Sequence, residues 1–306
     1  MARGRTRFLV AFLALPLLLY GTFVLYPAAR GVVVSFTDWS GYSHESAFIG
    51  FDNYVELVGD ERFWAALVHN LVYFVVLPPV TLGIALFFAV VTHIAGGRRG
   101  RIGPVAGSRF YSVVFFLPNI LPLIMSLILW QFIFNPRIGL LNAVLEAMGL
   151  EGWVRTWLGD PDTARWAIFS VLVWGTMGFF YVFFSAAISG IPRDYLEAGQ
   201  LDGAGRFRLS FSVTLPMMRE SLQVAWVYVG IFALDVFATV ALLTPNGGPD
   251  GSTDVTATYM QRVAFAEGRF GYGATIGVAL AVITLAFAFL AFRLGRRERI
   301  EYEEVG

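Results

Sequence analysis

The chain has 306 residues, of which 57% are hydrophobic, 16% aromatic and only 14% charged, and its mean hydropathy is +0.66. That composition is far more apolar than a soluble domain carries and marks a polytopic membrane protein. A net charge of zero decides nothing alone and no nucleic-acid partner is expected, while the absence of cysteine excludes disulfides, thiolate catalysis and thiolate metal sites.

Six stretches are apolar over the roughly 17 to 25 residues that a bilayer crossing requires. They run approximately over 8–26, 67–94, 110–134, 166–188, 222–243 and 272–294. The first follows Arg3, Arg5 and Arg7 and resembles a signal peptide. It is read as a retained span, because its apolar run exceeds the usual roughly 7–15 residues and Pro27-Ala28-Ala29-Arg30 is a poor cleavage site. Six spans put both termini on one side, within one transmembrane domain over residues 1–306.

The chain has no lysine, so its positive charge is all arginine. Fifteen arginines fall in the N-terminal tail, the second and fourth loops and the C-terminus, against seven in the first, third and fifth loops. By the positive-inside rule, the termini and the fourth loop are cytoplasmic. Acidic residues run the other way, thirteen against eight, and Asp235 alone lies inside a predicted span.

Along the chain, Pro78, Pro79, Pro118 and Pro122 predict kinks in the second and third spans. Gln131 and Gln223 read either as hydrogen-bonding glue between helices or as pathway lining, and Trp130 and Trp174 as interface anchors. His44, His69 and His93 lie far apart, without the i, i+4 partner of a helical zinc site, and read as loop or helix-end residues. Asp160 and Asp162 around Pro161 read as a solvated loop. Gly273 and Gly277, at G-x-x-x-G spacing, predict close helix packing.

The fourth loop is the most unusual part of the sequence. Its residues Ile191 to Arg206 are polar, charged and glycine-rich between two apolar spans, ending at Thr214-Leu215-Pro216. Pro192 suits a first helical turn, and Leu196, Gly199, Gln200 and Gly203 follow one face at three-to-four-residue spacing. Gly203 can turn the chain into a second helix over roughly 204–213, with Phe207 and Phe211 on one face, which Pro216 would stop. Such an element suits an interface or a partner groove. A Walker A loop needs a lysine that this chain lacks, so ATP would have to bind another subunit.

The series Glu197-Ala198-Gly199, Gly203 and Val213-Thr214-Leu215-Pro216 resembles the EAA signature of the inner-membrane permeases of binding-protein-dependent ABC importers. It departs from that pattern at Gly199, where alanine is usual, and at Val213, where isoleucine is commoner. Ser35-Phe36-Thr37-Asp38-Trp39, Phe48 to Tyr54, Phe134-Asn135-Pro136 with Gly139-Leu140-Leu141-Asn142, Ile191-Pro192, Asp202-Gly203-Ala204, and Leu243-Thr244 with Gly247-Gly248-Pro249 look like the carbohydrate-uptake branch. Within it they resemble the maltose-permease-F-like or glycerol-phosphate-permease-A-like half.

The resemblance implies an all-α type I importer permease fold in a bacterial cytoplasmic membrane, with six spans and a helix–glycine–helix coupling segment at 191–216. It implies a heterodimer with a second permease, a dimer of cytoplasmic ATPases carrying ATP and magnesium, and an extracytoplasmic solute-binding protein. This chain itself would hold no cofactor and be no enzyme. Glu197, Ala198, Gly199, Asp202, Gly203, Ala204, Leu215 and Pro216 would then dock on the ATPase. Asp235, with Tyr228, Phe232 and Phe237, is the expected substrate pathway, because an ionised group near mid-bilayer costs about 2.5–3.5 kcal/mol on insertion scales and aromatic faces suit sugars. In the resembling family a second polar residue is usual where this chain has Ala238. The alternative from the residues alone is an ion-coupled secondary transporter of a small polar solute.

Overall fold

A computed structural model describes residues 12–43, 45–94, 103–105 and 107–303. His44, Arg3, Arg5, Arg7, the first residues of the first predicted span and the arginines at 98, 99 and 101 lie outside the described residues. Among the described residues, the regular elements are helices, with an isolated antiparallel bridge between Thr37 and Phe48.

Four helices are long and apolar enough to cross a bilayer: Phe12–Val34, Glu61–Ile94, Pro161–Ser189 and Phe270–Leu290. Two bent pairs complete a set of six when each counts as one span: Phe110–Ile120 with Leu123–Ile133, bent by 97°, and Arg219–Leu234 with Phe237–Leu243, bent by 44°. The first bend has a steric cause. Leu121 precedes Pro122, whose ring disfavours the helical region for the residue before it, and Leu121 is accordingly extended at φ −74°, ψ 133°. Pro78 and Pro79, by contrast, lie inside the unbroken helix Glu61–Ile94.

The second bend has neither proline nor glycine at its centre. Asp235 (φ −120°, ψ 64°) and Val236 (φ −97°, ψ 23°) leave the helical region and free main-chain carbonyls at the end of Arg219–Leu234. Within lipid such groups must find internal partners. The fully buried Asn70 supplies one, its Nδ2 donating to the carbonyls of Leu234 at 3.1 Å and Ala233 at 3.4 Å.

The chain divides into two compact units, Met1–Ala65 with Thr256–Leu285, and Ala66–Val255 with Ala286–Gly306. In the first, Asn53 donates to the carbonyls of Ser35 and Thr37, both at 2.9 Å, and the Ser35 hydroxyl meets that of Tyr54 at 2.7 Å. The N-terminal segments singled out in the sequence are thus knotted to one another. Gly271 lies against the main chain of Thr37, and its amide donates to Trp39 at 2.9 Å. Gly273 and Gly277 admit Ala264 and the Met260 sulfur so closely that a Cβ would meet them at 2.9 and 3.0 Å, which realises the predicted small-residue packing.

Outside the spans of that unit, Asp60 caps the helix Glu61–Ile94 by accepting from the amides of Arg62 (2.9 Å) and Phe63 (3.2 Å). The hydroxyls of Tyr259 and Tyr272 donate to the same carboxylate at 2.6 and 2.5 Å. Burial pushes the Asp60 carboxyl up, and these four donors outweigh it, so the group sits below the ordinary carboxylate value. Beside them Arg269 pairs with Glu56 at 2.6 Å and lies over the Tyr272 ring.

The second unit holds the larger core, built from Tyr73, Leu77, Ile168, Leu172, Phe180, Phe184, Val229 and Val240. The fourth-span helix Pro161–Ser189 packs on Ser108–Ile120 through Gly178, where a Cβ would strike the main-chain carbonyl of Phe115. A hydroxyl relay crosses this contact: Tyr181 donates to Thr92 at 3.2 Å and meets Ser112 at 3.3 Å. Asp160 caps Pro161–Ser189, its carboxylate accepting from the Asp162 amide at 3.0 Å. Trp130 and Trp174 pack edge to face at 5.4 Å.

His69 departs from the expected loop or helix-end position, lying in the interior of Glu61–Ile94. Its Nε2 accepts from Arg165 at 2.8 Å, which leaves Nδ1 to donate to the Asp254 carbonyl at 2.7 Å, while Arg165 also donates to the Ser252 carbonyl at 2.9 Å. The pair therefore ties down the glycine-rich loop 244–255. His93 does sit in the last turn of its helix.

Candidate functional site: a polar hairpin and two broken spans

The fourth loop folds as a helical hairpin. Its first arm, Arg193–Leu201, starts from Pro192 at φ −57°, ψ 132° and carries Asp194 in its first turn, where a negative charge complements the helix dipole. Beyond Asp202, Gly203 adopts φ +75°. The Gly203 amide donates to Gln200 and the Ala204 amide to Gly199, both at 3.0 Å. Those two bonds are the Schellman closure, which requires a left-handed residue at Gly203.

The second arm begins after Gly205 with Arg206–Leu209 and continues through the wide turn Ser210–Thr214 into Leu215–Met217. Pro216 does not end it, contrary to the sequence expectation. A proline in a first helical turn lacks only an amide that would be unpaired anyway, and the break falls at Met218 (φ −95°, ψ 7°), directly before Arg219–Leu234. The arms cross at Gly199, where a Cβ would approach Leu209 Cδ2 at 2.5 Å and Val213 Cγ2 at 3.7 Å. The departure from alanine at this position thus has a local steric reason.

The hairpin presents an exposed tip. Leu201 is 90% exposed, and Tyr195, Glu197, Ala198, Asp202 and Gly203 are exposed beside it. Glu197 also lines a cleft with His93, Arg193, Leu196 and Gln200. Leu215 and Pro216 lie in the last turn of the second arm, and Ala204 at the turn.

Before the fifth-span break, Tyr228 and Phe232 share one helical stripe by their i, i+4 spacing, and Asp235 follows at the break itself. Tyr228 stacks on Phe179 at 6.1 Å and meets Phe180 edge-on at 5.8 Å. Asp235 is exposed, and its carboxylate meets no donor among the described residues. Phe232 packs partly into the core, and Phe237 begins the half-helix after the break, half-buried. That half-helix, Phe237–Leu243, packs on Leu123–Ile133, the half-helix after the other break, and Gln131 Nε2 donates to the Leu242 carbonyl at 2.6 Å. Gln131 is therefore helix glue. Asn70 escaped sequence reading, since a lone amide in an apolar run carries no spacing signal.

The polar hairpin thus joins the continuous span Pro161–Ser189 to the broken span 219–243 of a polytopic membrane protein. The chain belongs to the family described as the binding-protein-dependent transport system inner membrane component, which matches residues 5–300; it is a multi-pass permease subunit of an ABC importer, with ATP hydrolysis carried by a separate subunit. It is 41% identical over 95% of its length, and 83% of the relative's, to the diacetylchitobiose uptake system permease protein NgcF of Streptomyces coelicolor. It is 35% identical to the probable ABC transporter permease protein YurN of Bacillus subtilis, over 92% of this chain and 95% of that one. The crystal structure of a bacterial alginate ABC transporter, in complex with alginate pentasaccharide-bound periplasmic protein, contains a chain of the same fold, with TM-score 0.79, 23% identity and 96% of each chain covered. The ion-coupled alternative falls with that membership.

Proposed function

We propose that this permease imports a neutral sugar or short oligosaccharide through a pathway completed by a second, different permease. Asp235 and the Tyr228–Phe179 aromatic face line that pathway, and the Glu197 hairpin docks in a cytoplasmic ATPase dimer that binds ATP and magnesium. The observation that carries the reading is the pairing of two broken spans. Their second halves pack together at Gln131 and Leu242, and the fifth-span break carries an exposed carboxylate on the helix whose Tyr228 ring stacks on Phe179. Discontinuous helices are where transporters form substrate sites, and the 41% identity to a diacetylchitobiose permease supports a carbohydrate cargo. Closure of the ATPase would draw the hairpins of the two permeases together and rock the spans outward toward the loaded binding protein. With both termini cytoplasmic, the Asp60 and Arg165 clusters face the binding protein's side.

The test is reconstitution of both permeases and the ATPase in proteoliposomes with the binding protein and a labelled panel of diacetylchitobiose, other disaccharides, monosaccharides and glycerol phosphate. ATP- and binding-protein-dependent uptake of a neutral sugar is expected. Uptake by this chain alone on an ion gradient, or a preference for the phosphate ester, overturns the reading.

A further inference from the structure

Between the second-span helix and the second hairpin arm runs a groove of about 450 Å³. Gly83, Leu86, Phe87 and Val90 line one side, Phe207 and Phe211 the other, and Arg206 is the charged residue among its walls. Gly83 is its open floor, since a Cβ there would meet nothing within 4 Å. Phe207 and Phe211 pack ring to ring at 4.5 Å, and Phe207 stays 77% exposed. Two positions after Arg206, Arg208 is exposed as well.

Depth and charge together choose the occupant. From Gly83 to Ile94 the lining runs along about 16 Å of helix, close to half of the roughly 30 Å hydrocarbon thickness. The groove is about one leaflet deep and carries Arg206 in its wall. Guanidinium groups bind phosphate bidentately, and the arginine-rich side of the membrane is the one whose leaflet carries anionic lipid.

We propose that this groove is a binding site for an anionic phospholipid, with an acyl chain along Gly83 to Val90 and its phosphate on Arg206. The lipid fastens the second arm of the hairpin to the second span while the tip around Leu201 remains open for docking. The inference rests on the reading of the hairpin side as cytoplasmic.

The test uses the full complex, both permeases with the ATPase, purified from membranes supplied with phosphatidylglycerol and phosphatidylcholine, with retained lipid counted by native mass spectrometry. Wild type should hold phosphatidylglycerol over phosphatidylcholine by roughly fivefold, the contribution of one arginine. Arg206→Gln should bring that preference close to one, and Gly83→Leu, which fills the floor, should lower retention of both lipids. Equal retention of the two lipids by wild type, undiminished retention by Gly83→Leu, or a crosslink from Phe87→Cys to a partner polypeptide overturns the proposal. Retention is scored on the permease pair whether or not the ATPase stays bound. Failure of the docking reading therefore shows separately, as ATPase loss with lipid still present.

Discussion

Asn70 holds the carbonyl of Leu234 at 3.1 Å from another helix of the same unit, so a polar side chain fixes the place where the fifth span breaks. Replacing it by leucine keeps the volume but leaves buried carbonyls without a donor, a loss of about 1–3 kcal/mol. Asn70→Leu should unfold at lower temperature than wild type in detergent, with transport reduced. An unchanged transition would show that the break needs no such support.

Gly178 is pressed against the main chain of Phe115. Because the obstacle is backbone, it cannot swing aside as a flexible side chain would, and overpacking of this kind costs about 1–3 kcal/mol. Gly178→Ala should destabilise the chain measurably. Gly83→Ala, with open space around its Cβ, should be neutral or slightly stabilising, because alanine suits a helix better than glycine by about 1 kcal/mol.

Gly203, at φ +75°, closes the hairpin turn. A side chain with a Cβ pays about 1–3 kcal/mol in that region, and asparagine tolerates it best. Gly203→Val should abolish ATPase stimulation by the loaded binding protein while the permease still inserts, and Gly203→Asn should retain most of it. Equal activity of the two variants would mean that the turn geometry is irrelevant to coupling.

The Asp60 carboxyl is held below its ordinary value of about 3.9 by four donors that outweigh its burial. A depressed carboxylate contributes stability that is complete above the unfolded value and lost as pH falls through the folded one. Stability should therefore decline below about pH 4, and Asp60→Asn should lower stability at neutral pH while flattening that acid limb. On the alkaline side, burial and then donation to Asp60 hold the Tyr259 hydroxyl above its usual value. Its contribution is full below about pH 10 and fades above it. Chemical denaturation across pH would read both limbs.

Asp235 is exposed at a helix break, so its removal should leave folding intact and act on transport. Asp235→Ala should raise the KM for the loaded binding protein or lower uptake by roughly tenfold, the loss of one charge-assisted hydrogen bond of about 1.5 kcal/mol. Asp235→Asn, which can still bond a hydroxyl, should fall between. Wild-type uptake by Asp235→Ala would confine the residue to helix packing.

Much of this architecture was legible because lipid imposes a length and a polarity that a sequence cannot disguise. The apolar runs at 166–188 and 272–294 fall within long helices, and Pro122 marked the sharper bend. The bend at Asp235 was not legible: Leu234, Asp235 and Val236 include no helix breaker, and the break depends on an amide that arrives from 164 residues away in sequence. His69 was misplaced for a related reason. Its partners, Arg165 and the Asp254 carbonyl, become neighbours only after the core forms. The hairpin was readable down to its turn because Gly203 answers a local backbone demand, whereas the crossing at Gly199 needed Leu209 to be seen beside it.

The closed turn at Gly203 also has a mechanical meaning. Its two main-chain amides are engaged within the hairpin, and only Met218 separates the second arm from the first turn of the fifth span. On the docking proposed above, the hairpin would work as a stiff crank, a push at Leu201 passing through the buried Met218 as rotation of the helix that ends at Asp235.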